Sequence, residues 1–206
     1  NRVYGISGLS SDFLVLLSCS TLIATLGLYQ NSPAVIIGAM IIAPLMRPLV
    51  GLSLATLTAD TKLLRRALVT LAVGTAISVF LSCTLGFILH TISLTPEMLA
   101  RTRPNLLDLA VAIFAGAVGA YCQTRDDLAD SLAGVAIAVA LVPPLSVVGV
   151  GLSMSSYEAW GGAALLYITN LVGIAFAGIV VFIIMGYTPI HRVGKGVIIS
   201  LAVLGL

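Results

Sequence analysis

Long apolar runs separated by short polar segments make up most of this sequence. Each run is about as long as the roughly 20 helical residues needed to cross a hydrocarbon core. The runs do not alternate polar and apolar residues, as strands of a membrane barrel would, so they predict helices. The predicted spans lie at about 13–29, 34–59, 67–89, 106–121, 131–154 and 163–187, and another begins at 197.

Prolines interrupt two of these spans. Pro44 and Pro48 divide the second into half-helices predicted at about 34–43 and 49–59, and Pro143–Pro144 divides the fifth. Each proline lacks a backbone donor and clashes with the preceding turn of a helix. The chain is therefore predicted to be an all-α polytopic membrane protein of about seven spans, two of them broken.

The two broken spans indicate an internal repeat. A shift of 99 residues places Ala39 on Ala138 and Pro44 on Pro143. The same order of continuous, broken and continuous span recurs on both sides of the shift. Three crossings are an odd number, so the second unit is predicted to be inverted relative to the first.

The domain organisation follows from this repeat. One membrane domain is predicted, with repeat one at about 12–90, repeat two at about 105–187, and 197–206 as the start of a seventh span. Because the chain stops inside an apolar run, it is expected to be part of a longer protein.

Composition supports insertion in a lipid bilayer. Hydrophobic residues make up 59% of the chain and charged residues 9%, whereas a soluble domain has roughly 25% charged residues. The mean hydropathy is +1.15. The net charge of +2 is not arranged as a basic stripe, so no nucleic-acid partner is expected.

The distribution of basic residues predicts an orientation. Cytoplasmic loops carry the excess of Lys and Arg. The side of the N-terminus is predicted to hold Arg2, Lys62, Arg65, Arg66, Arg125, Arg192 and Lys195, against Arg101 and Arg103 on the other side. The N-terminus is therefore predicted to be cytoplasmic.

The helix breaks are the predicted functional site. A break leaves unpaired backbone amides and carbonyls, which are tolerated at depth only inside protein or beside a wet cavity. Matching breaks in two halves are typical of a transporter binding site near the bilayer midplane; the alternative is a kink that serves packing alone. The candidate substrate-binding residues are Pro44, Arg47, Pro48, Gly51 and Ser53 in the first half, and Pro143, Pro144, Ser146, Gly149 and Asn170 in the second.

Two polar residues near the breaks have open roles. Arg47 either presents its guanidinium to an anion beside half-helix amides or extends to water from a shallower position. Asn170 either hydrogen-bonds a substrate or satisfies carbonyls freed by a break.

Small residues form helical stripes that permit close packing. One stripe is Gly74, Ser78, Ser82 and Gly86; another is Ala112, Gly116 and Ala120. Such stripes serve packing within one chain or between copies, so a homo-oligomer is left open. No catalytic motif or metal-ligand spacing occurs, and neither an enzyme activity nor a cofactor is predicted.

Three segments carry a resemblance to a known family. They are Gly38–Met46 with the Pro48-Leu49 and Gly51-Leu52 pairs, Ala140–Leu145 with Gly149, and Thr169–Val172. They resemble the signatures of a prokaryotic membrane family of "uncharacterised hydrophobic domain" proteins, a domain-of-unknown-function family, over about 13–187. The resemblance implies a prokaryotic inner (plasma) membrane and a soluble domain before or after the membrane region. At position 47 the family pattern more often has a small residue than an arginine.

The leading functional hypothesis is a transporter or channel for a small polar or anionic solute. The runner-up is a non-transporting sensor or scaffold that anchors a soluble regulatory domain. An intramembrane enzyme is the third hypothesis, and it lacks a visible nucleophile and base at depth.

Overall fold

The fold is all-helical in the described part of the chain, as the apolar runs predict. The computed structural model describes residues 8–89, 93–124 and 141–187, and these hold eight α-helices and no strand. The helices are α1 Ser11–Tyr29, α2 Pro33–Ile42, α3 Met46–Thr58, α4 Thr61–Leu89, α5 Pro96–Leu99, α6 Leu106–Gln123, α7 Val142–Ser153 and α8 Tyr157–Ile184. The predicted helix within 131–140 and the span starting at 197 lie outside these residues.

Four of the described helices, α1, α4, α6 and α8, are long and apolar enough to cross a membrane. The α2–α3 pair, bent by 55°, also qualifies if counted as one broken span, which gives up to five among the described residues. Large apolar side chains such as Phe80, Phe114 and Phe176 are exposed on these helices. Such a surface is typical of helices that face lipid.

Local capping residues set where several helices begin. The Ser10 hydroxyl accepts a hydrogen bond from the Phe13 amide at the start of α1. At the start of α6, Asn105 and Asp108 form a reciprocal capping box. These contacts satisfy amides that have no partner within the helix.

Three predicted helix starts differ from the observed ones by three residues or more. Helix α4 begins at Thr61 instead of 67 because the Asp60 carboxylate accepts hydrogen bonds from the amides of Lys62 and Leu63, each 3.0 Å away. The charged residues Lys62, Arg65 and Arg66 therefore lie in the first turns of α4. Helix α3 begins at Met46 instead of 49, because Pro48 is its third residue, where an amide has no intrahelical partner to lose. Helix α8 begins at Tyr157 instead of 163.

Helix α7 lies at the centre of the described packing. Every residue from 141 to 151 is buried. Helix α7 contacts α1, α4 and α8, while α6 packs mainly along α8. Helix α3 lies against both α4 and α8, and α1 lies against α2 and α4.

Buried hydroxyl groups join α1 to its neighbours. Thr21 donates to the Ser78 hydroxyl at 3.0 Å, and the hydroxyls of Thr25 and Ser82 also lie 3.0 Å apart. The Ser20 hydroxyl donates to the carbonyl of Ala39 in α2 at 2.7 Å. Polar pairing of this kind holds helices together where burial of apolar surface supplies little driving force.

The small-residue stripes contact other helices of the same chain. A Cβ atom added to Gly116 in α6 would lie 2.6 Å from the Cα of Ile174 in α8. A Cβ atom added to Gly86 in α4 would collide with Ser153 of α7. These stripes therefore serve packing within the chain, and a homo-oligomer stays a prediction.

Candidate functional site

The first break lies between α2 and α3 and follows from Pro44. The residue before a proline is pushed out of the helical region. Ala43 has the extended backbone angles φ −65° and ψ 125°, which end α2 and produce the 55° bend before α3. Proline chemistry therefore accounts for the position of the break.

The predicted residues of the first half point in different directions. The Arg47 side chain is exposed, whereas Pro48, Gly51 and Ser53 are buried and Pro44 is half-buried. The Ser53 hydroxyl donates to the carbonyl oxygens of Leu49 and Ala175, each 3.1 Å away. Ser53 therefore connects α3 to α8, and Arg47 lies apart from it.

The predicted residues of the second half are mostly packed inside the helical core. Pro143 and Pro144 occupy the first turn of α7 and are buried, as are Ser146 and Gly149. The Ser146 hydroxyl has no hydrogen-bond partner among the described residues. A Cβ atom on Gly149 would lie 2.6 Å from the Val79 carbonyl oxygen, so Gly149 lets α7 approach α4 closely.

A cavity of about 330 Å³ brings two of the predicted residues together. Pro144 at the start of α7 and Asn170 on α8 both line it, and Asn170 is only 4% exposed. The remaining lining residues come from the segment before α6, from α6 and from α8: Glu97, Ala100, Arg101, Asp108, Val111 and Leu166. The cavity therefore extends from charged groups down to the proline-rich start of α7.

The charged side chains of this cavity are held in place. The Arg101 guanidinium lies 2.8 Å from the Glu97 carboxylate and also donates to the Glu97 carbonyl. The Asp108 carboxylate accepts a hydrogen bond of 2.8 Å from the Asn105 amide. With one cation and two carboxylates, the lining carries a formal charge of −1.

Long-range hydrogen bonds fix the segment that carries Glu97 and Arg101. The Thr95 hydroxyl donates to the Leu28 carbonyl at 2.8 Å. The Glu97 amide donates to the Asn31 side chain at 3.0 Å. The segment is thereby attached to the last turn of α1 and to the turn that follows it, and the rim of the cavity is a defined structure.

Sequence reasoning missed Glu97, Arg101 and Asp108 as cavity residues. The one local signal was the Asn105-x-x-Asp108 spacing, which predicts a helix start but not what faces it. Among the described residues no three His, Cys, Asp or Glu side chains converge as metal ligands. The arrangement can hydrogen-bond a small polar molecule and can pair with its charges.

Comparison with known proteins bears on the family. A family described as "domain of unknown function (DUF389)" matches residues 40–176, which confirms the predicted membership of a domain-of-unknown-function family. The chain is 32% identical over 189 residues to "Uncharacterized protein MJ0678" of Methanocaldococcus jannaschii. That match covers 92% of this chain and 59% of the relative, so the chain spans somewhat more than half of the relative's length. No solved structure matches the chain.

Proposed function

This chain belongs to the DUF389 family, and we propose that it is a membrane transporter or channel for a small polar or anionic solute. The solute enters through the 330 Å³ cavity and reaches the start of α7. The observation that carries this proposal is the shared lining by Pro144, the buried Asn170 and the charged groups of the rim. Small-molecule sites are typically concave, of about 300–1,000 Å³, with a few polar groups on a mostly apolar wall.

The inverted repeat is part of this proposal, and the helix contacts support it. The 99-residue shift maps α3 onto α7 and α4 onto α8. The contact between α4 and α7 then has its counterpart in the contact between α8 and α3, and both are present. The pair α3–α4 has its counterpart in α7–α8, and α1–α4 in α6–α8.

A solute site fits this repeat because prolines fall at matching places. Pro44, in the first break, maps onto Pro143, in the first turn of α7. Interrupted helices at corresponding positions of two inverted halves are the usual location of a transporter site. Insertion in an inner membrane, with the N-terminus cytoplasmic, completes the proposed arrangement.

The cavity's charge narrows the solute class. A lining with one cation and two carboxylates favours a neutral or zwitterionic polar solute over a simple anion. The anionic alternative rests on Arg47, which is exposed and does not line this cavity in the described structure.

Solute uptake by proteoliposomes tests the proposal. The panel contains amino acids, polyols and small anions, and radiolabelled uptake is measured beside electrical current so that electroneutral exchange is detected. We expect uptake of one class, and we expect Asn170→Ala to reduce it at least tenfold without lowering the melting temperature by more than a few degrees. The matched control is Thr169→Ala, because the Thr169 hydroxyl bonds the Leu165 carbonyl at 2.8 Å and does not line the cavity.

Two outcomes would count against the proposal. Uptake that is equal in the wild type and in Asn170→Ala would remove this cavity from the pathway. Absence of uptake for every class would favour the sensor or scaffold function. That second function has its own support, because 41% of the archaeal relative lies outside the match (100 − 59), enough for a further domain.

A further inference from the structure

A second cavity, of about 650 Å³, lies beside the start of α4 and is lined by three basic side chains. Its wall on α4 carries Lys62, Arg65 and Arg66, and its other side is formed by Gly8 and Leu9, just before α1. No carboxylate occurs in its described lining. We propose that this cavity binds the phosphate headgroup of an anionic phospholipid.

The three cations lie on one face of α4. Positions 62, 65 and 66 are related by three and four residues, a spacing that places side chains together on a helix surface. Asp60 is the acidic residue nearest to Lys62 along the chain. Its carboxylate accepts hydrogen bonds from the backbone amides of Lys62 and Leu63. Lys62 and Arg65 line a concave space, and no acidic residue is among its described lining residues.

The apolar part of the cavity favours a lipid over a free anion. Leu9 is 43% exposed and Val69 is 45% exposed, and both line the cavity beside the basic groups. Val69 lies one turn further along the same helix, in the direction of the membrane interior. A phospholipid presents this combination, because its phosphate is followed by an acyl chain, and basic pockets between membrane helices bind such headgroups.

The lining of this cavity shares no residue with that of the proposed solute site. Under the 99-residue shift, Leu9 maps onto Asp108 and Leu71 onto Asn170. Leu9 lines this cavity as Asp108 lines the first, but Leu71 is apolar, only 5% exposed and not among the described lining residues. Among the described residues, its lining includes none from the break at 43–45. A molecule held here stays at the membrane surface, so the inference does not depend on transport.

Thermal unfolding of the purified full chain in a neutral detergent tests the proposal. Dioctanoyl phosphatidylglycerol at ten times its apparent Kd is expected to raise Tm by about 3–6 °C. Dioctanoyl phosphatidylcholine and inorganic phosphate, added separately, are expected to leave Tm unchanged. The shift should shrink as salt is raised, because exposed charges are screened.

Variants locate the effect. The double variant Lys62→Gln and Arg65→Gln should weaken the phosphatidylglycerol affinity about 25-fold, or about fivefold for each neutralised cation. Arg66 is left intact because its guanidinium lies against Gly8. The matched control Arg103→Gln removes an exposed cation outside the cavity and should keep the wild-type affinity. Equal affinity in the double variant and the control, or an equal shift with inorganic phosphate alone, would overturn the proposal.

Discussion

The contact between α4 and α7 yields the most direct test of the described packing. A Cβ atom on Gly149 would lie 2.6 Å from the Val79 carbonyl oxygen and 2.7 Å from the Cys83 amide nitrogen. Both are backbone atoms of α4, so no side-chain rotation relieves the overlap. To reach an ordinary contact of 3.4 Å, the two helices must separate by about 0.8 Å (3.4 − 2.6).

The magnitude of Gly149→Ala follows from two opposing terms. Overpacking of a buried contact typically costs about 1–3 kcal/mol, and backbone contacts place this site at the upper end. Alanine is better than glycine in a helix by about 1 kcal/mol. The net loss is about 2 kcal/mol, which corresponds to a fall in Tm of about 4–8 °C for a chain of this size.

Fluorescence of Trp160 provides the assay. It is the chain's single tryptophan, and its backbone lies beside Gly151 of α7, so it reports on this part of the fold. The control is Gly38→Ala, because a Cβ atom there meets nothing within 4 Å. The control should hold or raise Tm at the same scan rate. A Tm for Gly149→Ala that equals or exceeds that of the control would refute the close α4–α7 contact.

Two further predictions concern α3 and the first cavity. Ser53→Ala should lower the free energy of unfolding by about 1 kcal/mol, measured as a lower Tm, because the hydrogen bond to Ala175 is lost. Gly178→Ala should destabilise the Ser53→Ala protein less than the wild type, because the Ser53 hydroxyl lies 2.6 Å from the added Cβ. Strict additivity of the two changes would contradict this contact. In proteoliposomes a charged methanethiosulfonate reagent should modify Val111→Cys, which lines the cavity, but not Phe114→Cys, which is 72% exposed outside it. Equal labelling of both would show that the cavity is not a separate aqueous space.

The helices and the break at Pro44 were predictable because their causes are local. Pro44 forces Ala43 into an extended conformation whatever surrounds it. The stripe containing Gly116 likewise predicts close packing, since small side chains at helical spacing permit it. Boundaries were less predictable, because Asp60 caps α4 within a charged segment that also suits a turn.

The 330 Å³ cavity was only partly predictable. Pro144 was predicted from the proline-rich interruption and Asn170 as a polar residue in an apolar span. Glu97 and Arg101 belong to a segment that the Thr95 hydroxyl and the Glu97 amide attach to Leu28 and Asn31, far away in the sequence. Tertiary contacts of this kind leave no periodic signal. The orientation of the Arg47 side chain was not predictable either. It depends on the residue at which α3 begins, since that decides which face of the helix position 47 occupies.

A difference between the two proline-rich segments bears on how the proposed transporter works. At the second, Pro144 and Asn170 line a cavity that extends to charged groups on the side of α5. At the first, Leu45 is 1% exposed and, with Leu17, packs against Gly74. Among the described residues, a cavity therefore reaches the proline-rich start of α7, whereas Leu45, which follows Pro44, is buried among apolar side chains. A conducting channel needs a path open on both sides, whereas inverted repeats in a carrier alternate between two asymmetric arrangements. For the transporter proposed above, the asymmetry of these two segments favours a carrier over a channel.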